Sequence, residues 1–159
     1  MNTKKLKWLV FIALILIIGG GLLAYCIQTA GNTIKIKDVR FVGSDGRINS
    51  ALLYIPPGVS SKNPAPGIVA THGYINSRET QDGFAIEFAR RGYVVLAMDQ
   101  SGHGFSDPPA FAAGFGGIDS LKYMRTLDIV DQNNIGLEGH SMGGWASVIA
   151  AAVNPGGYK

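Results

Sequence analysis

Gly139, His140, Ser141, Met142 and Gly143 fall between a short apolar run, Ile135 to Leu137, and a stretch rich in helix formers, Met142 to Val153. A strand feeding directly into a helix must reverse within a few residues, and side chains at Gly139 and Gly143 would collide across so sharp a turn. The pattern holds Ser141 in a strained conformation at the end of a strand. The simpler reading is a glycine-rich turn whose serine caps the helix. Strand, turn and helix occurring together favour the strained elbow.

Upstream, the chain alternates in a way that accommodates such an elbow. Ile34, Ile36 and Val39 to Val42 give an imperfect alternation suited to a half-buried strand, Ser44 to Gly46 mark a turn, and Ile48 to Ile55 supply a second strand, together an antiparallel hairpin. Pro56, Pro57, Gly58 and the polar stretch to Pro66 end the hairpin in a loop. Gly67 to Thr71 is a short apolar run, and Arg78 to Arg91 reads as a helix with Phe84, Ala85, Phe88 and Ala89 on one face and Gly92 as its stop. Tyr93 to Met98 is a continuous apolar run of the kind found in buried parallel strands. After a loop rich in Gly, Pro and Phe, Ile118, Leu121, Met124 and Leu127 recur every third residue as a further helix. The order β, β, β, α, β, α, β, α predicts an α/β fold: a mostly parallel sheet covered on both faces, with an antiparallel hairpin at its N-terminal edge.

The start of the chain is different in kind. Trp8 to Ile27 is a run of 20 residues without a charge, enough to cross about 30 Å of hydrocarbon as a helix. Lys4, Lys5 and Lys7 precede it and account for the whole formal charge of +3, since eleven basic residues then face eleven acidic ones. A neutral remainder offers no footprint for nucleic acid, and the basic end predicts a cytoplasmic N-terminus with the globular part outside the cytoplasm. A cleaved signal peptide is the competing reading. It is disfavoured by the length of the run and by the absence of a clear small-x-small cleavage pair. Cys26, the single cysteine of the chain, follows Leu23, Ala24 and Tyr25 in a weak likeness to a lipidation signal, but Tyr25 stands where that signal takes a small residue, so Cys26 reads as one more apolar helix position. The expected organisation is a cytoplasmic basic segment over 1–7, a transmembrane helix or signal anchor over 8–27, a polar linker over 28–33 and the α/β part over 34–159.

Three stretches, THGY (Thr71 to Tyr74), MDQSGHGFSD (Met98 to Asp107) and GHSMGG (Gly139 to Gly144), stand in an order and spacing that resemble the first half of an α/β-hydrolase. RRGYVVLAMDQSGHGFSD and NIGLEGHSMGG are similar in tone to serine aminopeptidase-like and dienelactone hydrolase-like members. The resemblance implies that Ser141 is a nucleophile toward an acyl carbonyl of a small-molecule or peptide substrate. It further implies an oxyanion hole made by the backbone N–H groups of Met142 and Tyr74, with Gly139 and Gly143 forming the elbow and His72 and Gly73 shaping the adjacent loop. The His72 imidazole itself is expected to be structural. Members of the family commonly carry arginine where Ser101 stands here, so the anchoring of the 99–107 loop lacks its usual charge. Asp99 and His103 offer an improvised acid and base only if they come within hydrogen-bond reach of the serine. Phe105, Phe111 and Phe115 are candidates to wall an acyl pocket or to pack under the loop. His140 and Trp145 are expected to pack behind the elbow.

The family's triad runs Ser, then Asp or Glu, then His, whereas the 18 residues after Ser141 contain neither an acid nor a histidine. The expectation is therefore the N-terminal part of a membrane-anchored serine hydrolase, truncated after the elbow helix and inactive alone. The alternatives are a natural short product that binds or scaffolds, and a cofactor-free haloperoxidase of the same fold. With no metal-ligand cluster or dinucleotide fingerprint in the sequence, no cofactor is expected.

Overall fold

The computed structural model describes residues 2–111 and 113–153; the last positions expected for the α/β part, 154–159, lie outside the described residues. Helix α1, Thr3–Gln28, comes first. It starts earlier than the apolar run because Asn2 caps it, its side chain accepting the Lys4 N–H at 3.1 Å, so the three lysines ride on its first turns. No residue of α1 is buried, and it is long and apolar enough to cross a membrane.

Residues 28–33, expected as a polar linker, are held in a hydrogen-bonded turn. Gln28 still belongs to α1, and the Thr29 hydroxyl donates to the Tyr25 carbonyl at 2.8 Å while accepting from Asn32 N–H at 2.9 Å. Gly31 N–H reaches Cys26 O at 2.7 Å, and Thr33 and Ile34 N–H both reach Thr29 O at 3.0 Å. A hydroxyl that satisfies backbone groups locally turns a polar stretch into a defined turn. Thr29 and Ile34 are consequently 4% and 2% exposed.

The strands are β1 Lys35–Val42, β2 Ile48–Ile55, β3 Ala65–Thr71, β4 Val94–Met98 and β5 Val130–Gly139, and the sheet order is β1-β2-β4-β3-β5. β1 and β2 form the antiparallel hairpin, β2 pairs antiparallel with β4, and β3 is parallel to both β4 and β5. This is the mixed α/β sheet expected, with the hairpin at its edge. α2, Asp82–Arg90, preceded by a 3₁₀ turn over Arg78–Gln81, covers one face. α3, Gly117–Thr126, and α4, Met142–Val153, pack together on the other. A connection from β3 to its neighbour on one side, then from β4 past β3 to the other, puts successive right-handed crossovers on opposite faces.

β4 shows why this core is stable. All five residues of VVLAM are buried, Val94, Leu96 and Met98 facing α3 and Val95 and Ala97 facing α2. Each large side chain so buried contributes about 1.5–3 kcal/mol. β5 is longer than the three apolar residues that announce it. Gln132 to Asn134 are its exposed stretch, where the pairing with β3 shifts register between Pro66 and Gly67.

Candidate active site

Because β3, β4 and β5 are parallel and in register, with Thr71 opposite both Met98 and Gly139, the loops that follow them emerge at one edge. They carry His72 to Tyr74, Asp99 to Asp107, and His140 to Ser141. Ligands of open α/β sheets bind at this carboxyl edge.

At the elbow, β5 ends at Gly139 and α4 begins at Met142, leaving two residues for the reversal. Ser141 has φ 56°, a left-handed conformation that costs a residue with a Cβ about 1–2 kcal/mol. The surrounding backbone enforces it. A Cβ on Gly143 would lie 2.0 Å from the Thr71 carbonyl oxygen, and one on Gly139 would lie 2.2 Å from the Gly143 carbonyl. Both glycines are therefore required by contact with backbone, not by flexibility. His140 N–H donates to Thr71 O at 3.1 Å and Gly143 N–H to His140 O at 2.9 Å, closing the turn. Ser141 itself is exposed.

Gly73 lies alongside, a Cβ there falling 3.5 Å from the Ser141 Cβ and 2.9 Å from His140 Nδ1. The His72–Tyr74 loop thus meets the elbow. Neither the Tyr74 nor the Met142 backbone N–H has a protein acceptor among the described residues. Met142 N–H is also at the N-terminus of α4, where the helix dipole favours negative charge.

His72 is fully buried, its Nδ1 donating to Gly73 O at 2.7 Å and its Nε2 accepting the Gln100 N–H at 3.0 Å. Both ring nitrogens are committed, which assigns the neutral tautomer, and burial holds its pKa below the usual histidine value. The ring is a bracket between the loops after β3 and β4, reinforced by a Gln100 side-chain hydrogen bond to His72 O.

Asp99 and His103 are not joined. The buried Asp99 carboxylate accepts the backbone N–H groups of Arg78 at 2.9 Å and Phe105 at 3.1 Å, while His103 Nδ1 lies 3.1 Å from Ser101 O. Gly104 sits so close that a Cβ there would meet Asp99 Oδ1 at 2.2 Å. This acid organises its own loop.

The charge missing at position 101 comes from a residue that sequence reasoning passed over. The Arg78 side chain, 5% exposed, forks onto both Asp38 oxygens at 3.0 and 2.9 Å, bonds Ser50 Oγ at 2.8 Å and Ala51 O at 3.2 Å, and lies 3.6 Å from Asp99. It ties β1, β2 and the loop after β4 together. In a single sequence Arg78 looks like any polar residue opening a helix; only the serine at 101 hints that a cation is needed elsewhere.

The three phenylalanines separate. Phe105 lies over Arg40 and Arg78, at 4.8 and 5.1 Å from its ring centre. Phe111 stacks on Tyr74 at 5.9 Å and meets Phe115 edge-on at 5.9 Å. Phe111 and Tyr74 are 52% and 57% exposed, so an apolar aromatic surface begins one residue from Gly73. Ile75, Phe111 and Phe115 are left-handed as well, at φ 53°, 66° and 62°, and such strain concentrates at functional sites.

His140 and Trp145 do not pack behind the elbow as expected. His140 is exposed beside Gly73, and Trp145 is 68% exposed. The inward face of α4 consists of the small residues Gly143, Ala146 and Ala150, because β3 and α3 approach too closely for an indole.

Comparison with known proteins agrees with the fold. Residues 66–156 match the family described as alpha/beta hydrolase fold. A protein of Mycobacterium phage D29 named putative non-heme haloperoxidase is 31% identical over 99 residues, 62% of this chain and 35% of that protein. The solved structure of DcsB in complex with its substrate analogue is 26% identical with a TM-score of 0.67, covering 76% of this chain and 42% of that one. An acetyl xylan esterase from Paenibacillus sp. R4 is 23% identical with a TM-score of 0.69, covering 78% of this chain and 46% of that one. The chain thus spans from about a third to under half of the length of these relatives.

Proposed function

This chain belongs to the alpha/beta hydrolase fold family, and from that premise we propose that it is the N-terminal part of a membrane-anchored serine hydrolase that cleaves an ester, amide or peptide bond through an acyl-enzyme on Ser141. The observation that carries the proposal is the exposed, left-handed Ser141, locked between Gly139 and Gly143 with two unengaged N–H groups nearby. In this reading Ser141 Oγ attacks the substrate carbonyl carbon and gives its proton to a histidine. The carbonyl oxygen becomes an oxyanion held by the Met142 and Tyr74 N–H groups. Collapse expels the alcohol or amine, which takes the proton from the histidine, and water then releases the acid by the same steps. Family chain order places the acid and the base after Ser141, and the lengths of the relatives leave room for both.

α1 supplies the anchor, with the three lysines on the cytoplasmic side and the hydrolase domain outside; a secreted form after signal cleavage is the alternative topology. A haloperoxidase reading has one observation in its favour, the name of the phage relative. The experiment is to assay the full-length gene product on short aryl esters and in halide- and peroxide-dependent bromination of a phenol. The proposal expects ester hydrolysis that falls on the order of 10⁶-fold in Ser141→Ala. Equal hydrolysis in both proteins removes Ser141 as nucleophile, and bromination without hydrolysis selects the alternative.

A further inference from the structure

β1 begins at Lys35, one residue after the turn that ends α1, and runs parallel to β3, β4 and β5, because β2 is antiparallel to both β1 and β4. The foot of α1 therefore meets the sheet at the amino ends of the parallel strands, level with Ile55, which pairs with Lys35. Ser141 is at the carboxyl ends, level with Met98 and Thr71. By this register Met98 is level with Val39, through Ala51, so the four-residue step from Lys35 to Val39 separates the two edges by about 13 Å.

The joint between anchor and domain is rigid. Thr29 and Ile34 are buried and the 29–34 turn is closed by hydrogen bonds. Ala30 and Ile34 belong with Ala85, Ile86 and Ala89 of α2 in one apolar cluster. Cα atoms of α2 lie within 8 Å of those of α1. The headgroup layer beyond the hydrocarbon is about 5–8 Å deep on each side. Since α2 runs back from the carboxyl edge toward β4, its last turn lies at the foot, and there Arg90 and Arg91 are exposed, sharing the single carboxylate of Glu87 at 2.8 and 2.6 Å and so leaving one net positive charge. Lys35 and Lys37, exposed on β1, and Lys62, exposed in the β2–β3 loop, open at this same edge. Phe88 and Tyr93 sit among them, edge-on at 6.2 Å. Cations beside half-buried aromatics match the phosphate and upper acyl region of a bilayer.

We propose that the domain stands on phospholipid headgroups through this basic amino edge, holding Ser141 a strand length away, so that its substrate is a water-soluble acyl compound and not a lipid of the same bilayer. The proposal rests on the anchor and hydrolase readings above.

The test uses the full-length protein in phosphatidylcholine–phosphatidylglycerol vesicles, in a Cys26→Ser background, with an environment-sensitive fluorophore at Ile15→Cys, Arg91→Cys or Ile75→Cys. Lys35→Cys and Ser141→Cys serve as second labels for the two edges. The expected pattern is quenching by acyl-chain nitroxide at 15, several-fold stronger quenching by headgroup nitroxide at 91 than at 75, and open access of iodide to 75. Equal headgroup quenching at 75 and 91, or none at 91, overturns the stance on the membrane while a protected 15 preserves the anchor. An iodide-accessible 15 sinks both. In the same vesicles a soluble ester should be hydrolysed several-fold faster than a bilayer-embedded ester of equal acyl chain. Preference for the embedded ester overturns the substrate assignment, and hydrolysis of neither refutes the hydrolase reading while the labels still decide the stance.

Discussion

Replacing Arg78 by methionine keeps most of its volume and removes its charge, and the structure says what is then stranded. Asp38 is 52% exposed, so that part of the fork is worth no more than the 0–1 kcal/mol of a surface pair. Asp99 is fully buried, and stripping one partner from a buried pair costs about 3–5 kcal/mol. Asp99 keeps two backbone N–H donors, from Arg78 and Phe105, which places the loss near the lower end. Arg78→Met should therefore destabilise the domain by about 3–4 kcal/mol, a large part of the 5–15 kcal/mol of a typical domain. In urea, at a slope of about 2 kcal/mol per molar, the midpoint should fall by about 1.5–2 M. Circular dichroism in micelles, read where the sheet contributes, follows the transition. The double variant Arg78→Met, Asp99→Asn supplies the control, since removing the second charge should recover part of the loss. An Arg78→Met midpoint within about 0.3 M of wild type, or an Asp99→Asn change that only adds to the damage, would refute the argument.

Gly143→Ala drives a Cβ to 2.0 Å from Thr71 O, and because the obstacle is backbone it should cost more than about 3 kcal/mol and lower the melting temperature accordingly. His72 has its pKa depressed by burial, so the unfolded chain binds the extra proton. Its contribution should be complete above about pH 6.5 and decline as pH falls below that, with a slope of at most about 1.4 kcal/mol per pH unit, measurable by denaturation between pH 8 and 5. Glu138 behaves oppositely: burial raises its pKa, and its Oε2 is buried without a partner among the described residues. Stability should fall as pH rises through that raised value, and Glu138→Gln should flatten this part of the profile.

Much of this molecule is legible in its sequence, for physical reasons. β2 and α4 have the bounds that their patterns predict, since one is flanked by turn residues and the other starts at the glycine-enforced reversal. The order of elements follows from periodicity alone. What the sequence conceals depends on partners distant in the chain. The polar part of β5 holds a bulge, Asp131 pairing with Pro66 and Ile135 with the next residue, Gly67, and the 29–34 turn is closed by the Thr29 hydroxyl together with backbone hydrogen bonds. Trp145 lies on the exposed side of α4, opposite the buried Gly143, Ala146 and Ala150. At the candidate site, Ser141 and its glycines are visible locally, whereas Arg78 acquires meaning only when β1, β2 and the loop after β4 converge on it.

The most direct test of the account is to treat the full-length protein with a fluorophosphonate and map the adduct by mass spectrometry. The account predicts one modified residue, Ser141, with ester hydrolysis lost in proportion to its modification and no adduct in Ser141→Ala. Unimpaired hydrolysis by protein fully modified at Ser141, or an activity-abolishing adduct at another residue, would contradict it.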